Sequence, residues 1–132
     1  MNNKAIKMLK IYQPTSNLDW MNYTLKKEDI TLHHIIKKCD KGKNEISNLA
    51  LLMPTSHQYL HIIENIDIKT YIALNKIFKI INEQQTEPTL MQRDIIENIL
   101  LMFEEDHKND RNKNGKIIIK SKYKERWVKY NP

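Results

Sequence analysis

The chain has 132 residues, 40% of them apolar and 29% charged, with a net charge of +6. That is enough for one domain with a modest core, and no apolar run approaches the roughly 20 residues that cross a bilayer, so no membrane partner is expected. Cys39 is the one cysteine, which excludes an intramolecular disulfide and a structural zinc site of paired cysteines. The opening MNNKAIKMLKIYQPTS has no apolar h-region, so no secretory signal is expected and a reducing, cytoplasmic setting is the default.

In chain order, Met1 to Tyr12 is lysine-rich, with Ile6, Leu9 and Ile11 as packing anchors. Asp19 to Tyr23 reads as a brief helical turn with Trp20 facing the core. Ile30 to Ile36 reads as a strand, Asp40 to Asn44 as a polar reversal and Leu49 to Met53 as a second, buried strand. Pro54 ends that run and opens a helix through about Asn65, since the missing N–H is no loss at a first helical position. Asp67 caps a second helix over about 67–82, with Ile68, Tyr71, Ile72, Ile77, Phe78 and Ile81 on its apolar face. Thr89 caps a third over about 89–107, with Met91, Ile95, Ile99, Met102 and Phe103 inward. Asn112 to Gly115 is a turn, and Lys116 to Lys120 (KIIIK) reads as a short strand.

The charge is uneven. Residues 108–132 hold nine Lys/Arg against Asp110 and Glu125, a net of +7, so the first 107 residues sum to −1. The expected organisation is a folded unit over residues 1–107, with its central core at about 30–66, and a basic segment over 108–132. A basic segment beside a balanced body is the footprint of a polyanion binder or of a solvated tail. The abundance of Lys, Asn and Ile fits an AT-rich coding genome, such as a low-GC bacterium or its phage.

The central third carries four histidines and an asparagine. In TLHHIIKKCDKGKNEISNLALLMPTSHQYLH these are His33, His34, Asn48, His57 and His61, spaced H-H-x13-N-x8-H-x3-H. His57 and His61 stand four apart on the helix that Pro54 opens, so they share a face and are spaced to grip one ion. A strand packed on that helix can add a third imidazole. Three imidazoles about 2.0–2.1 Å from a divalent ion, with one position open, make a catalytic rather than a structural site.

This pattern resembles the HNH endonucleases, the ββα-metal nucleases, and is most similar to their colicin-type members with the H-H-N-H-H motif. The resemblance covers about Leu32 to His61 and includes the passage ISNLALLMPTSH. It implies an α+β fold: a ββα-metal (HNH) motif with additional C-terminal helices and a basic tail. By position, His33 resembles the strand-borne metal ligand and His34 the general base. Asn48 resembles the asparagine that holds the loop and orients that base, and His57 and His61 the two helix-borne ligands. Met53 and Ser56 stand where many relatives carry cysteines for a structural zinc, which leaves the apolar core to hold the fold. One glycine of the usual pair is Lys41, with Gly42 retained.

The implied activity is phosphodiester hydrolysis with one divalent ion (Mg²⁺, Mn²⁺, Zn²⁺ or Ni²⁺), leaving a 5′ phosphate and a 3′ hydroxyl. Nucleic acid is the expected substrate, DNA favoured over RNA, and a phage or mobile element is an expected source. Lys37, Lys38, Lys41 and Lys43 lie close enough in sequence to clamp phosphates, and Lys122, Lys124, Arg126 and Trp127 interleave charge with an aromatic in the tail. Both imidazoles of the His33–His34 pair are expected within a few ångströms of one metal-sized site. A homodimer through the later helices would suit double-strand cutting. The alternative, from another class, is a binding or inhibitor protein that keeps this scaffold without cutting, for instance a phage anti-defence factor. Cys39 reads as incidental, and His107 as a helix-end residue interacting with the dipole.

Overall fold

The computed structural model describes residues 2–12 and 14–119. Among these, four α-helices surround one two-stranded antiparallel sheet: α1 (Asn3–Tyr12), β1 (Thr31–His34), β2 (Leu49–Leu52), α2 (Pro54–Ile66), α3 (Ile68–Gln84) and α4 (Leu90–His107). This mixture is compatible with the expected α+β class. No helix among the described residues is long and apolar enough to cross a membrane.

The sheet is short because the chain leaves the ladder early. β1 pairs with β2 in the register Thr31 with Leu52, Leu32 with Leu51, His33 with Ala50 and His34 with Leu49. Beyond His34, the Ile36 N–H goes to the Asn48 side chain instead of a strand partner. Every residue of β2 is buried, so it reads as a continuous apolar run rather than an alternation. Met53 then breaks off, and Pro54 opens α2 as its first residue, as expected.

The helix starts are chemically marked. The Asp67 side chain accepts from the Thr70 N–H at the start of α3. Thr89 and Gln92 form a reciprocal capping box on α4. The core runs between α1, β2 and the three later helices. Trp20 stands edge-on to Tyr12, with ring centroids 5.3 Å apart, and 6.1 Å from Phe78. The Tyr12 hydroxyl donates to the Asn82 carbonyl at 2.9 Å, and burial pushes its pKa up to about 12. Asn82 in turn donates to the carbonyls of Ile46 and Leu49, tying α3 to the entry of β2.

Three expectations about faces are corrected. α1 buries Ala5, Met8 and Tyr12, while Ile11 is exposed. α3 buries Tyr71, Leu74, Phe78 and Ile81, leaving Ile68 and Ile72 about half exposed. α4 turns Met91, Ile95 and Met102 outward and buries Arg93, Ile96, Glu97, Leu100, Phe103 and Glu104. The reason is that its buried charged residues meet partners inside. The Arg93 guanidinium donates to the Asp19 carbonyl, Asn22 Oδ1 and Ser16 Oγ, and Glu104 accepts from the Tyr59 hydroxyl. A buried charge with partners inverts the pattern by which an inward face is read.

The KIIIK expectation is corrected over its described part. Ile117 forms a single bridge to Arg111, across a reversal in which Asn112 Oδ1 accepts from the N–H groups of Asn114 and Lys116. Ile119 is buried in the core, so the basic segment begins as part of the folded body.

His107 closes the far end of α4. Its ring bonds Asp110 Oδ2 at 2.6 Å and Asp67 Oδ2 at 3.2 Å, and packs on Phe103. The hydrogen bond to Asp110, helped by Asp67, raises its pKa above the ordinary histidine value. A histidine whose folded pKa is raised stabilises the fold fully below its unfolded pKa and loses that contribution as pH rises through the folded value. The stability gap between wild type and His107→Gln, measured by urea unfolding, is therefore expected to be widest near pH 6 and to shrink toward pH 8.5. A gap unchanged across that range would remove the ionic role.

Candidate metal centre

β1 and α2 bring three imidazoles together. His33 projects from β1 into the interior and is only 2% exposed. Its ring centroid lies 5.6 Å from that of His57 and 6.3 Å from that of His61, both edge-on. His57 and His61 stack at 4.9 Å with 29° between planes, as four-residue spacing on α2 dictates. Tyr71 and Phe78 of α3 close the other side of the His33 ring, each at 6.1 Å.

Hydrogen bonds fix which nitrogen of each ring is bare. The Thr31 hydroxyl has one hydrogen, and it goes to the Leu52 carbonyl at 2.8 Å. Its oxygen can therefore only accept from His57 Nδ1, 3.1 Å away, which leaves the lone pair on Nε2. His61 Nδ1 lies 3.1 Å from Glu64 Oε1, and a carboxylate accepts only, so in the neutral ring Nε2 is the bare nitrogen. His33 Nε2 donates to Asn75 Oδ1 at 2.8 Å, leaving Nδ1. Such outward bonds are the usual support of metal-binding histidines.

Electrostatics keep the buried rings neutral. Burial pushes the His33 pKa down to about 4, the bond to Asn75 opposing and the neighbouring His57, His61 and His34 adding to the fall. Burial, with His61 and His34 nearby, also lowers that of His57. Neutral, tautomerically fixed imidazoles fit a borderline divalent cation. The fit is chemical rather than fully geometric. Among the described residues, no three His, Cys, Asp or Glu side chains stand ready-placed around one ion. Lone pairs lie in the ring planes, so the stacked His57 and His61 must turn about their side-chain torsions before aiming at a common point with His33.

His34 is held differently. Its Nε2 lies 3.2 Å from Asn44 Oδ1, and its ring makes no ring contact with that trio among the described residues. Strand alternation turns it away from His33, although it stays near enough to add to the fall in the pKa of His33 and His57.

Asn48 is buried behind the loop that follows His34. It accepts from the Ile36 N–H and donates to the carbonyls of Ile36 and Lys43, at 2.8–2.9 Å. Two residues make that tight loop feasible. Lys41 takes the left-handed conformation, with φ 68°. A Cβ on Gly42 would lie 1.8 Å from the Ile36 carbonyl oxygen, so only glycine fits there.

The four histidines and Asn48 lie inside one stretch of sequence. Residues 22–62 match the HNH endonuclease family. The HNH segment contains His33, His34, Asn48, His57 and His61, and stops short of Glu64 and Asn75. No curated protein and no solved structure matches the chain.

Around the HNH segment, the expected phosphate clamps divide. Lys37 pairs with Glu64 and lies over the Tyr71 ring, 5.7 Å from its centroid, so it braces the carboxylate that holds His61. Lys38, Lys41 and Lys43 are exposed. Lys76 and Lys79 of α3 join Lys37 along a groove of about 420 Å³ that sequence reasoning did not foresee. Lys122, Lys124, Arg126 and Trp127 lie outside the described residues.

Sequence reasoning also missed the three supports. Thr31 lies two residues before His33 on the same strand face, and Glu64 three residues after His61 on the helix, so periodicity could have found both. Asn75 carries no local signal, because it arrives from another helix 42 residues on.

Proposed function

We propose that this chain is a metal-dependent HNH endonuclease that hydrolyses phosphodiester bonds of nucleic acid, DNA favoured. The observation that carries the reading is the packing of His33, His57 and His61 within the matched segment, each with its outward nitrogen hydrogen-bonded. His33 Nδ1, His57 Nε2 and His61 Nε2 would hold one divalent ion. That ion, when bound, supplies Lewis-acid stabilisation of charge on the phosphate and leaving oxygens.

The chain's own groups do the rest. With the His34 Nε2 hydrogen directed to Asn44, the lone pair on Nδ1 is the one that takes a proton from the attacking water. Imidazole is the side chain suited to that exchange near neutral pH. Asn48 keeps the following loop from shifting the base, through its three bonds to residues 36 and 43. Exposed Lys38, Lys41 and Lys43 draw in the phosphate backbone.

The test is conversion of supercoiled plasmid to open circles with Mg²⁺, Mn²⁺, Zn²⁺ or Ni²⁺, against an EDTA control. Nicking is expected only with metal. No nicking with any of the four, at protein in excess over plasmid, would replace the enzyme with the binding-protein alternative.

A further inference from the structure

We infer that Asn75, on α3 and outside the HNH segment, is the positioning residue that decides which nitrogen of His33 is offered to the metal. The inference rests on the endonuclease reading above, and adds that α3 completes the centre.

The argument starts from burial. His33 is 2% exposed, so water cannot satisfy both ring nitrogens. A neutral imidazole carries one N–H and one lone pair, and a buried N–H without an acceptor is costly. Asn75 Oδ1, 2.8 Å from Nε2, is the acceptor. Protonated Nε2 means bare Nδ1. Without that acceptor, a proton on Nε2 is buried and unpaired, and every molecule that carries it on Nδ1 instead presents an N–H where a lone pair is required.

The placement of Asn75 is itself fixed. Tyr71, Asn75 and Phe78 fall at i, i+4 and i+7, one face of α3. Tyr71 and Phe78 are buried and edge-on to the His33 ring, so they set α3 against the imidazole and leave the residue between them in reach of its nitrogen. α3 thus contributes two walls and an acceptor to a ring borne on β1. Aspartate would keep the acceptor, whereas leucine would keep the volume and remove it.

The experiment compares wild type, Asn75→Asp and Asn75→Leu. Imidazole ¹⁵N spectra of the metal-free proteins read the tautomer, Zn²⁺ titration calorimetry reads affinity, and thermal unfolding reports on folding. Wild type and Asn75→Asp are expected to carry the His33 proton on Nε2 and to bind Zn²⁺ similarly. Asn75→Leu is expected to lose that single tautomer and to bind Zn²⁺ about 10- to 100-fold more weakly while remaining folded. A wild-type His33 protonated on Nδ1 overturns the inference whatever the variants do, including a leucine variant that fails to fold. A folded Asn75→Leu that binds Zn²⁺ like wild type overturns it while leaving the endonuclease reading intact. A wild type that binds no metal removes both.

Discussion

His34→Ala is expected to lower the nicking rate about 100- to 10,000-fold, the usual cost of losing a general base, while leaving metal content unchanged. His57→Ala is expected to lower both. The split follows from where the two rings stand. His34 makes no ring contact with the His33, His57 and His61 trio among the described residues and is tethered to Asn44, so truncating it removes a proton acceptor without touching a donor nitrogen. His57 faces both other rings and has its Nδ1 committed to Thr31, so its removal takes away a bare nitrogen from the trio. Elemental analysis of each purified variant, run beside plasmid nicking, separates the roles. His34→Ala with wild-type nicking would dismiss the base, and His57→Ala with wild-type metal content would dismiss the ligand.

The parts of the fold and of the candidate centre that were legible in sequence are those set by local rules. Pro54 as first helical residue, Asp67 and Thr89 as caps, and the four-residue spacing of His57 and His61 depend on neighbours within a turn or two. Each stands in the structure within a residue or two of its expected place. What failed to read were decisions made by distant partners. Met91, Ile95 and Met102 look like the inward face of α4 until Asn22, Ser16 and the Asp19 carbonyl are available to Arg93. With those partners, the charged edge is the buried one. Asn75 is the same lesson at the centre: nothing near it in sequence distinguishes it, and its meaning comes from the histidine it meets. Lys37 looks like a phosphate clamp beside His34, yet Glu64 and Tyr71 engage it from α2 and α3.

Asp19→Ala is expected to destabilise the protein by about 4 kcal/mol, a large share of the roughly 5–15 kcal/mol that holds a domain together. The sequence leaves the apolar core as the only support once Met53 and Ser56 replace cysteines, but a carboxylate has a large part. Asp19 is fully buried. Its Oδ1 accepts from the N–H groups of Met21 and Tyr23, and its Oδ2 from the Met53 N–H and the Ser56 hydroxyl, at 2.5–2.9 Å. One side chain thereby closes its own turn and fastens that turn to the junction of β2 and α2. Alanine would strand four donors at about 1–3 kcal/mol each, less whatever water entering the gap recovers. Ser56→Ala, which removes one donor and leaves the carboxylate its other three, is expected to cost only about 1–2 kcal/mol. Urea unfolding of the two variants decides the matter: equal losses would return the support to the apolar core. The junction also carries the first turn of α2, where the His57 N–H bonds the Met53 carbonyl at 2.9 Å. Loosening Met53 therefore frees the turn that aims His57, and Asp19→Ala is expected to weaken Zn²⁺ binding even at temperatures where it remains folded.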